Sequence, residues 1–207
     1  MPLYKQHEDE GTLTGIWRMT ESLEELEAMY TVHEAERHIY VGFRNDRRRK
    51  EWLTVRILLR ELMGTEVEIR YKESGKPYLI GSDKYISITH TIGYVGIRLG
   101  NRPVAIDMEY KSKRVINLIP RFVSEAEMRY IDPKDQITSA LVIWSAKESL
   151  YKLFDISDIL FDEHLAVRDL DLSEERGSFC GILNKGNQHC EVELHYWLHD
   201  DLILVYY

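Results

Sequence analysis

Cysteine is scarce in this chain of 207 residues, with only Cys180 and Cys190 present. Two cysteines cannot build a disulfide framework, and their scarcity fits a reducing compartment. No apolar run approaches the roughly 20 residues needed to span a bilayer. Met1 to Gly11 lack both the positive start and the apolar stretch of a signal peptide. A soluble cytoplasmic protein without a membrane partner is therefore expected. Low-complexity segments and Pro/Gly/Ser linkers are absent too. Cations are in deficit, with Lys and Arg numbering 27 against 35 Asp and Glu, for a net charge of -8. Phosphate affinity is mainly cationic, so a nucleic-acid partner is not expected.

What remains is ordinary globular usage, 44% hydrophobic and 30% charged, enough for one domain or two small ones. The charge is unevenly placed. Glu36 to Arg60 holds eight Lys/Arg against three Asp/Glu, whereas Asp155 to Glu175 holds eight Asp/Glu and one Arg. Local basic surface on an acidic protein points to a compact anion rather than a polymer.

Ser22 followed by Glu25 reads as a capping box that opens a short helix through Tyr30. A second helix is expected from about Arg47 to Met63, with Trp52, Val55, Leu59, Leu62 and Met63 at helical spacing. Arg49, Arg56 and Arg60 form a basic stripe beside that apolar one. Val67 to Tyr71 alternates as a strand and Glu73 to Pro77 reads as a turn. Ile86 to Thr89 predicts a strand ending at His90. Tyr94 to Leu99 and Val104 to Glu109 read as paired strands joined by Gly100 to Pro103. Ser124 and Glu127 form a second capping box, and a long helix is predicted from Gln136 to Phe154. Val192, Leu194, Tyr196 and Leu198 alternate, and a hairpin at His199 to Asp201 leads into a last strand from Leu202 to Tyr207. Helices and antiparallel strands occur in both halves, which predicts an α+β fold with a pseudo-duplication near residue 105.

Several constellations could carry chemistry. On a strand, Asp107 and Glu109 share one face, and two such carboxylates repel unless protons or a hard cation such as Mg²⁺ neutralise them. Trp144, Glu148 and Lys152 recur every four residues and line one helical face. Glu148 could supply a third carboxylate and Lys152 a cation beside a phosphate. His90, following Ser87 and Thr89, could hold a phosphate by hydrogen bonds. In Ser74-Gly75-Lys76-Pro77 the glycine permits close backbone approach and the lysine supplies a point charge. Arginines of the basic segment suit phosphate oxygens. Singly, each has a plainer reading as a hydrated strand end, a solvated helix face, a surface histidine or a simple turn. Cys180, Cys190, His195 and His199 mimic a zinc series, but the cysteines are too far apart and Cys190 falls on the opposite strand face from the histidines. No nucleophile elbow, P-loop or dinucleotide fingerprint occurs.

In order and spacing, these pieces resemble the 4′-phosphopantetheinyl transferases, specifically the surfactin-synthetase-activating type with two fused halves. The resemblance rests on Gly75-Lys76-Pro77, Ile86-Ser87-Ile88-Thr89-His90-Thr91, Ala105-Ile106-Asp107-Met108-Glu109 and Trp144-Ser145-Ala146-Lys147-Glu148-Ser149-Leu150-Tyr151-Lys152. It implies a pseudo-dimer of two similar α+β halves, 1–105 and 106–207, with the active site in the cleft between them. It implies that coenzyme A donates its 4′-phosphopantetheine arm to a serine hydroxyl of an acyl or peptidyl carrier protein, releasing adenosine 3′,5′-bisphosphate.

The resemblance further implies Mg²⁺, with Mn²⁺ as an alternative, held by Asp107, Glu109 and Glu148. Thr89 and His90 correspond to the contact with the 3′-phosphate of coenzyme A, and Gly75 and Lys76 to its adenosine end. Lys152 corresponds to the lysine on the pyrophosphate and leaving group. Arg37 and Arg49 are further candidates for phosphate contact. Glu148 and a water on the metal are alternative bases. Thr89 and Thr91 stand where serine is frequent in the family, and Ala105 and Met108 where glycine and isoleucine are common. Fused halves predict a monomer. The competing reading is a non-catalytic module that binds coenzyme A or a carrier protein.

Overall fold

The computed structural model describes residues 3–9 and 11–207. The chain divides into two compact units. One runs to Lys72 and resumes over Pro77–Pro103, and the other comprises Glu73–Lys76 and Val104–Tyr207.

The first unit contains β1 (Leu3–Asp9), β2 (Thr12–Arg18), α1 (Leu23–Met29), α2 (Glu34–Gly42), α3 (Asp46–Met63), β3 (Ile69–Tyr71), β4 (Pro77–Leu79), β5 (Tyr85–Thr91) and β6 (Tyr94–Gly100). Its main sheet is antiparallel in the order β1-β2-β6-β5, and β3 pairs with β4 in a separate hairpin. Both halves of the Ser22 capping box form: Glu25 N–H donates to Ser22 Oγ at 3.2 Å, and Ser22 N–H donates to Glu25 Oε2 at 2.7 Å. Asn45 Oδ1 accepts from Arg47 N–H at 2.8 Å to open α3, and Gly64 closes it in the left-handed region. Leu53, Ile57, Leu58 and Leu59 of α3 are buried with Trp17, Val95, Ile97 and Leu99 of the sheet.

The second unit contains β7 (Ile106–Tyr110), two 3₁₀ helices at Lys113–Arg121 and Glu125–Tyr130, α4 (Gln136–Phe154), α5 (Phe161–His164), β8 (Leu165–Arg168), β9 (Arg176–Lys185), β10 (Gln188–His199) and β11 (Leu202–Tyr206). Its sheet is antiparallel in the order β7-β11-β10-β9-β8. Asp135 caps α4 by accepting from Thr138 N–H at 3.1 Å, and α4 lies across β7, β11, β8 and β9. Each unit thus packs one long helix on an antiparallel sheet. In each, a strand glycine sits beneath that helix. A Cβ at Gly15 would meet Leu62 within 3.0 Å, and one at Gly181 would meet Leu150 at 2.9 Å. Among the described residues, no helix is long and apolar enough to cross a membrane.

The helix from Gln136 to Phe154 and the hairpin at His199 to Asp201 are as the pattern predicts. Three features differ. The segment Val104 to Glu109 does not pair with Tyr94 to Leu99. Strand β6 has β2 on one edge and β5 on the other, so neither edge is open, and β7 pairs instead with β11. The strand expected from Val67 begins only at Ile69. Helix α2 falls at Glu34 to Gly42, a segment for which the pattern predicts no element, and it buries only Glu36.

Candidate active site

In the second unit, β7 presents Asp107 and Glu109 on one face, while Met108 between them turns into the core. The helix face of Trp144, Glu148 and Lys152 lies against those acids. Lys152 Nζ donates to Asp107 Oδ1 at 2.7 Å and to the Ile106 carbonyl at 3.0 Å. Trp144 Nε1 donates to Glu109 Oε1 at 3.1 Å. Residue number rises along the strand as it falls along the helix, so the two elements run antiparallel here. Glu148 lies one turn from each of those two helix residues. Packing aims the Trp144 ring, whose neighbours are Phe122 at 5.2 Å and Phe161 at 5.4 Å between centroids.

Electrostatics show that the three acids share a neighbourhood. Burial and then the Asp107 charge push Glu109 up to about 7, opposed by the Trp144 hydrogen bond. Burial and the Asp107 charge likewise push Glu148 up to about 7, opposed by Lys152. Clustered, partly buried carboxylates that resist joint ionisation are a donor set suited to a hard, oxygen-liking dication. The chemistry of the residues therefore fits Mg²⁺ or Mn²⁺. The expected trio is nevertheless a neighbourhood of charge and not a coordination sphere. Among the described residues, no three acidic, histidine or cysteine side chains are gathered closely enough to ligate one ion. The Lys152 ammonium takes up part of the compensation through Asp107.

Lys76 belongs to the same unit. Its Nζ donates to the Leu153 carbonyl at 2.9 Å, in the last turn of α4, where carbonyls lack helical partners. Gly75 stands at φ +86° in the turn before it, a conformation that glycine adopts without strain.

The first unit holds the other candidates. His90 lies within β5 and not at its end. Its ring is exposed, whereas Thr89, on the opposite face of the strand, is buried. The two side chains therefore do not converge on one point. Arg48 Nη1 stands 2.7 Å from His90 Nε2. Arg37 is exposed beside Glu34 at 3.7 Å. Arg49 donates to the Phe43 carbonyl at 3.1 Å and pairs with Asp46 at 3.5 Å.

The basic stripe is not a phosphate-binding surface along its length. Arg56 is buried, donates to Glu36 Oε1 from both Nε (3.0 Å) and Nη2 (2.7 Å), and lies 3.3 Å from the Trp52 ring centroid. Arg60 donates to the Met29 carbonyl at 2.9 Å. Spacing alone missed Arg48 and Glu51, although three residues apart on a helix is the signal that pairs them. It also left Lys147 without a role. Its fully buried Nζ donates to Glu127 Oε2 at 2.7 Å and to the carbonyls of Phe122 and Phe161. Burial pulls the Lys147 amine down while Glu127 opposes that shift.

Residues 103–206 match the 4′-phosphopantetheinyl transferase superfamily. The chain is similar to the 4′-phosphopantetheinyl transferase gsp of Aneurinibacillus migulanus, at 33% identity over 86 residues, covering 40% of this chain and 36% of that protein. It is similar to the 4′-phosphopantetheinyl transferase AcpT of Salmonella typhimurium, at 28% identity over 112 residues, covering 51% of this chain and 58% of that one. The AcpT of Salmonella typhi matches to the same extent. The chain thus spans about a third of the first relative and somewhat over half of the others.

Proposed function

The chain belongs to the 4′-phosphopantetheinyl transferase superfamily, and from that premise we propose that it moves the 4′-phosphopantetheine arm of coenzyme A onto a serine hydroxyl of an apo acyl or peptidyl carrier protein, acting as an Mg²⁺-dependent monomer. The observation that carries this reading is the apposition of Asp107 and Glu109 on β7 to Glu148 and Lys152 on α4.

Asp107, Glu109 and Glu148 would hold the cation, and when bound it supplies charge neutralisation on the pyrophosphate. Lys152 offers an ammonium for the pyrophosphate oxygens once it turns from Asp107. The serine oxygen attacks the phosphorus bearing the pantetheine arm. The bond from that phosphorus to the bridging oxygen breaks, and adenosine 3′,5′-bisphosphate departs with the electron pair. Glu148 and a water beside the cation are the alternative acceptors of the serine proton. His90 is assigned to the 3′-phosphate and Lys76 to the adenosine end, with Gly75 allowing the backbone to approach. Thr89 can contribute to this region only through its backbone, since its side chain faces away from His90. Arg37 and Arg49 remain outer phosphate contacts. The likeness of the two units, each a long helix on an antiparallel sheet, supports the pseudo-dimeric reading.

Incubation with coenzyme A, Mg²⁺ and apo carrier proteins from fatty-acid, polyketide and peptide synthetases tests the proposal. The expected result is a phosphopantetheine mass increment on at least one carrier. Failure across the panel would overturn it.

A further inference from the structure

Lys147 sits on α4 beside the face that Trp144 and Glu148 share. Its side chain is 0% exposed, so its ammonium has three protons to place without water. All three meet acceptors, and these come from three different elements. Glu127 Oε2, in the second 3₁₀ helix, stands at 2.7 Å. The Phe122 carbonyl, at the end of the first 3₁₀ helix, stands at 2.6 Å, and the Phe161 carbonyl, at the start of α5, at 2.8 Å. Glu127 is anchored in turn. Its Oε1 accepts from Val167 N–H of β8 at 2.8 Å, and its Oε2 accepts from Ser124 N–H at 2.9 Å.

A buried ion pair is a poor device for stability alone, since well-packed apolar residues of similar volume often do as well or better. The carbonyls that this one gathers set it apart. Phe122 and Phe161 are the two residues whose rings flank Trp144, at 5.2 and 5.4 Å between centroids. Trp144 Nε1 then donates to Glu109 Oε1 at 3.1 Å. One cation thus holds the backbone behind both rings, the rings hold the indole, and the indole N–H holds one oxygen of Glu109. Fixing one oxygen of a carboxylate sets where the other points.

We propose that Lys147 is a positioning residue for the acid face: by gathering the Phe122 and Phe161 carbonyls it aims Trp144, and through Trp144 it holds Glu109 in the orientation that receives the cation. The proposal rests on the transferase reading, which gives Glu109 that role. Lys147 itself touches neither substrate nor cation. Glu127 is the counter-charge that keeps the ammonium buried, and its bonds to Ser124 and Val167 keep that counter-charge in place. Breaking the link disturbs the groups around the transferring phosphate and not the adenosine end, so the loss falls on turnover more than on coenzyme A binding.

The test uses Lys147→Met combined with Glu127→Gln, which removes both charges together and leaves neither buried alone. Its first readout needs no metal, coenzyme A or carrier. The chain has 4 tryptophans, and the Trp144 indole N–H is assigned in a ¹H–¹⁵N spectrum by its loss in Trp144→Phe. In the double variant that resonance is expected to shift and its hydrogen exchange to quicken by about tenfold or more, with Trp17 and Trp52 unmoved. The second readout is transfer to a carrier in Mg²⁺. A fall in kcat of about tenfold or more is expected, with KM for coenzyme A within about twofold of wild type. A merely structural Lys147 would lower the melting temperature and leave the indole resonance in place, which would overturn the proposal. A freed indole with unchanged kcat would overturn it too. If the double variant loses its cooperative melt, Phe161→Leu carries both readouts, because it keeps the carbonyl and removes one flanking ring from a half-buried position. The same shift and the same loss are expected there, and their absence would overturn the proposal. Wild type that transfers to no carrier would overturn the transferase reading, while the indole spectrum still decides whether Lys147 aims Trp144.

Discussion

The two long helices carry similar sequence signals and use them differently. Helix α3 bears Trp52 and Arg56 four residues apart, and α4 bears Trp144, Glu148 and Lys152 at the same interval. On α3, Arg56 folds over Trp52 and is consumed by Glu36 inside the first unit. On α4, Lys152 and Trp144 reach the two acids of β7 and leave Glu148 between them. What decides the outcome is the element opposite. An acid brought from α2 makes an internal ion pair, whereas two acids spaced two apart on a strand make a charge cluster that calls for further compensation. The exposed chemistry of α3 is confined to its first turn, where Arg48 meets His90.

The sharpest way to break the comparison is on α4. Glu148→Gln keeps the shape of the side chain and removes its charge, and a loss of about 10²- to 10⁴-fold in transfer rate is expected if it accepts the serine proton. Lys152→Ala is expected to lower the rate as well. Arg56→Ala, on α3, should act on the fold instead. Removing one partner of a buried pair costs about 3–5 kcal/mol, read by chemical denaturation. Lys147→Met tests the counterpart in the second unit, where Glu127 would be left buried without its cation. A stability loss of similar size is expected.

A smaller effect concerns pH. Burial and the Asp107 charge push Glu109 and Glu148 up to about 7 in the folded protein, against 4.5 for an ordinary glutamate. Between those values the folded chain binds more protons than the unfolded one, so stability falls as pH rises from about 4.5 to about 7. Melting temperatures measured across that range in chelator should decline, and Glu109→Gln with Glu148→Gln should flatten the trend. The smallest expected change is Arg49→Ala. Its partners are a backbone carbonyl and an exposed aspartate, and the loss should stay within about 1 kcal/mol.

Some local signals were readable at short range. Capping boxes at Ser22 and Ser124 and the 3.6-residue pattern of Gln136 to Phe154 are written over a few neighbouring positions. The i, i+2 acids of β7 and the i, i+4 face of α4 were legible for the same reason. Their apposition was expected only through the resemblance to a family, because it depends on a strand ending at Tyr110 and a helix beginning at Gln136. Strand partnership was not legible. Choosing β11 over β6 for β7 turns on which edges remain open after the rest of the sheet has formed. Nor could the fate of Arg56 be read from its stripe, since its partner, Glu36, lies 20 residues away on another helix. The contacts of Arg48 and Glu51 with His90 depend on the strand that brings His90 to them.

The most direct test of the central claim is to compare wild type with Asp107→Ala by mass spectrometry of an apo carrier protein after incubation with coenzyme A and Mg²⁺. Asp107 touches Lys152 and raises both neighbouring glutamates. The account predicts a phosphopantetheine increment with wild type and none with the variant, while the variant retains a cooperative melt. Full transfer by Asp107→Ala would contradict it.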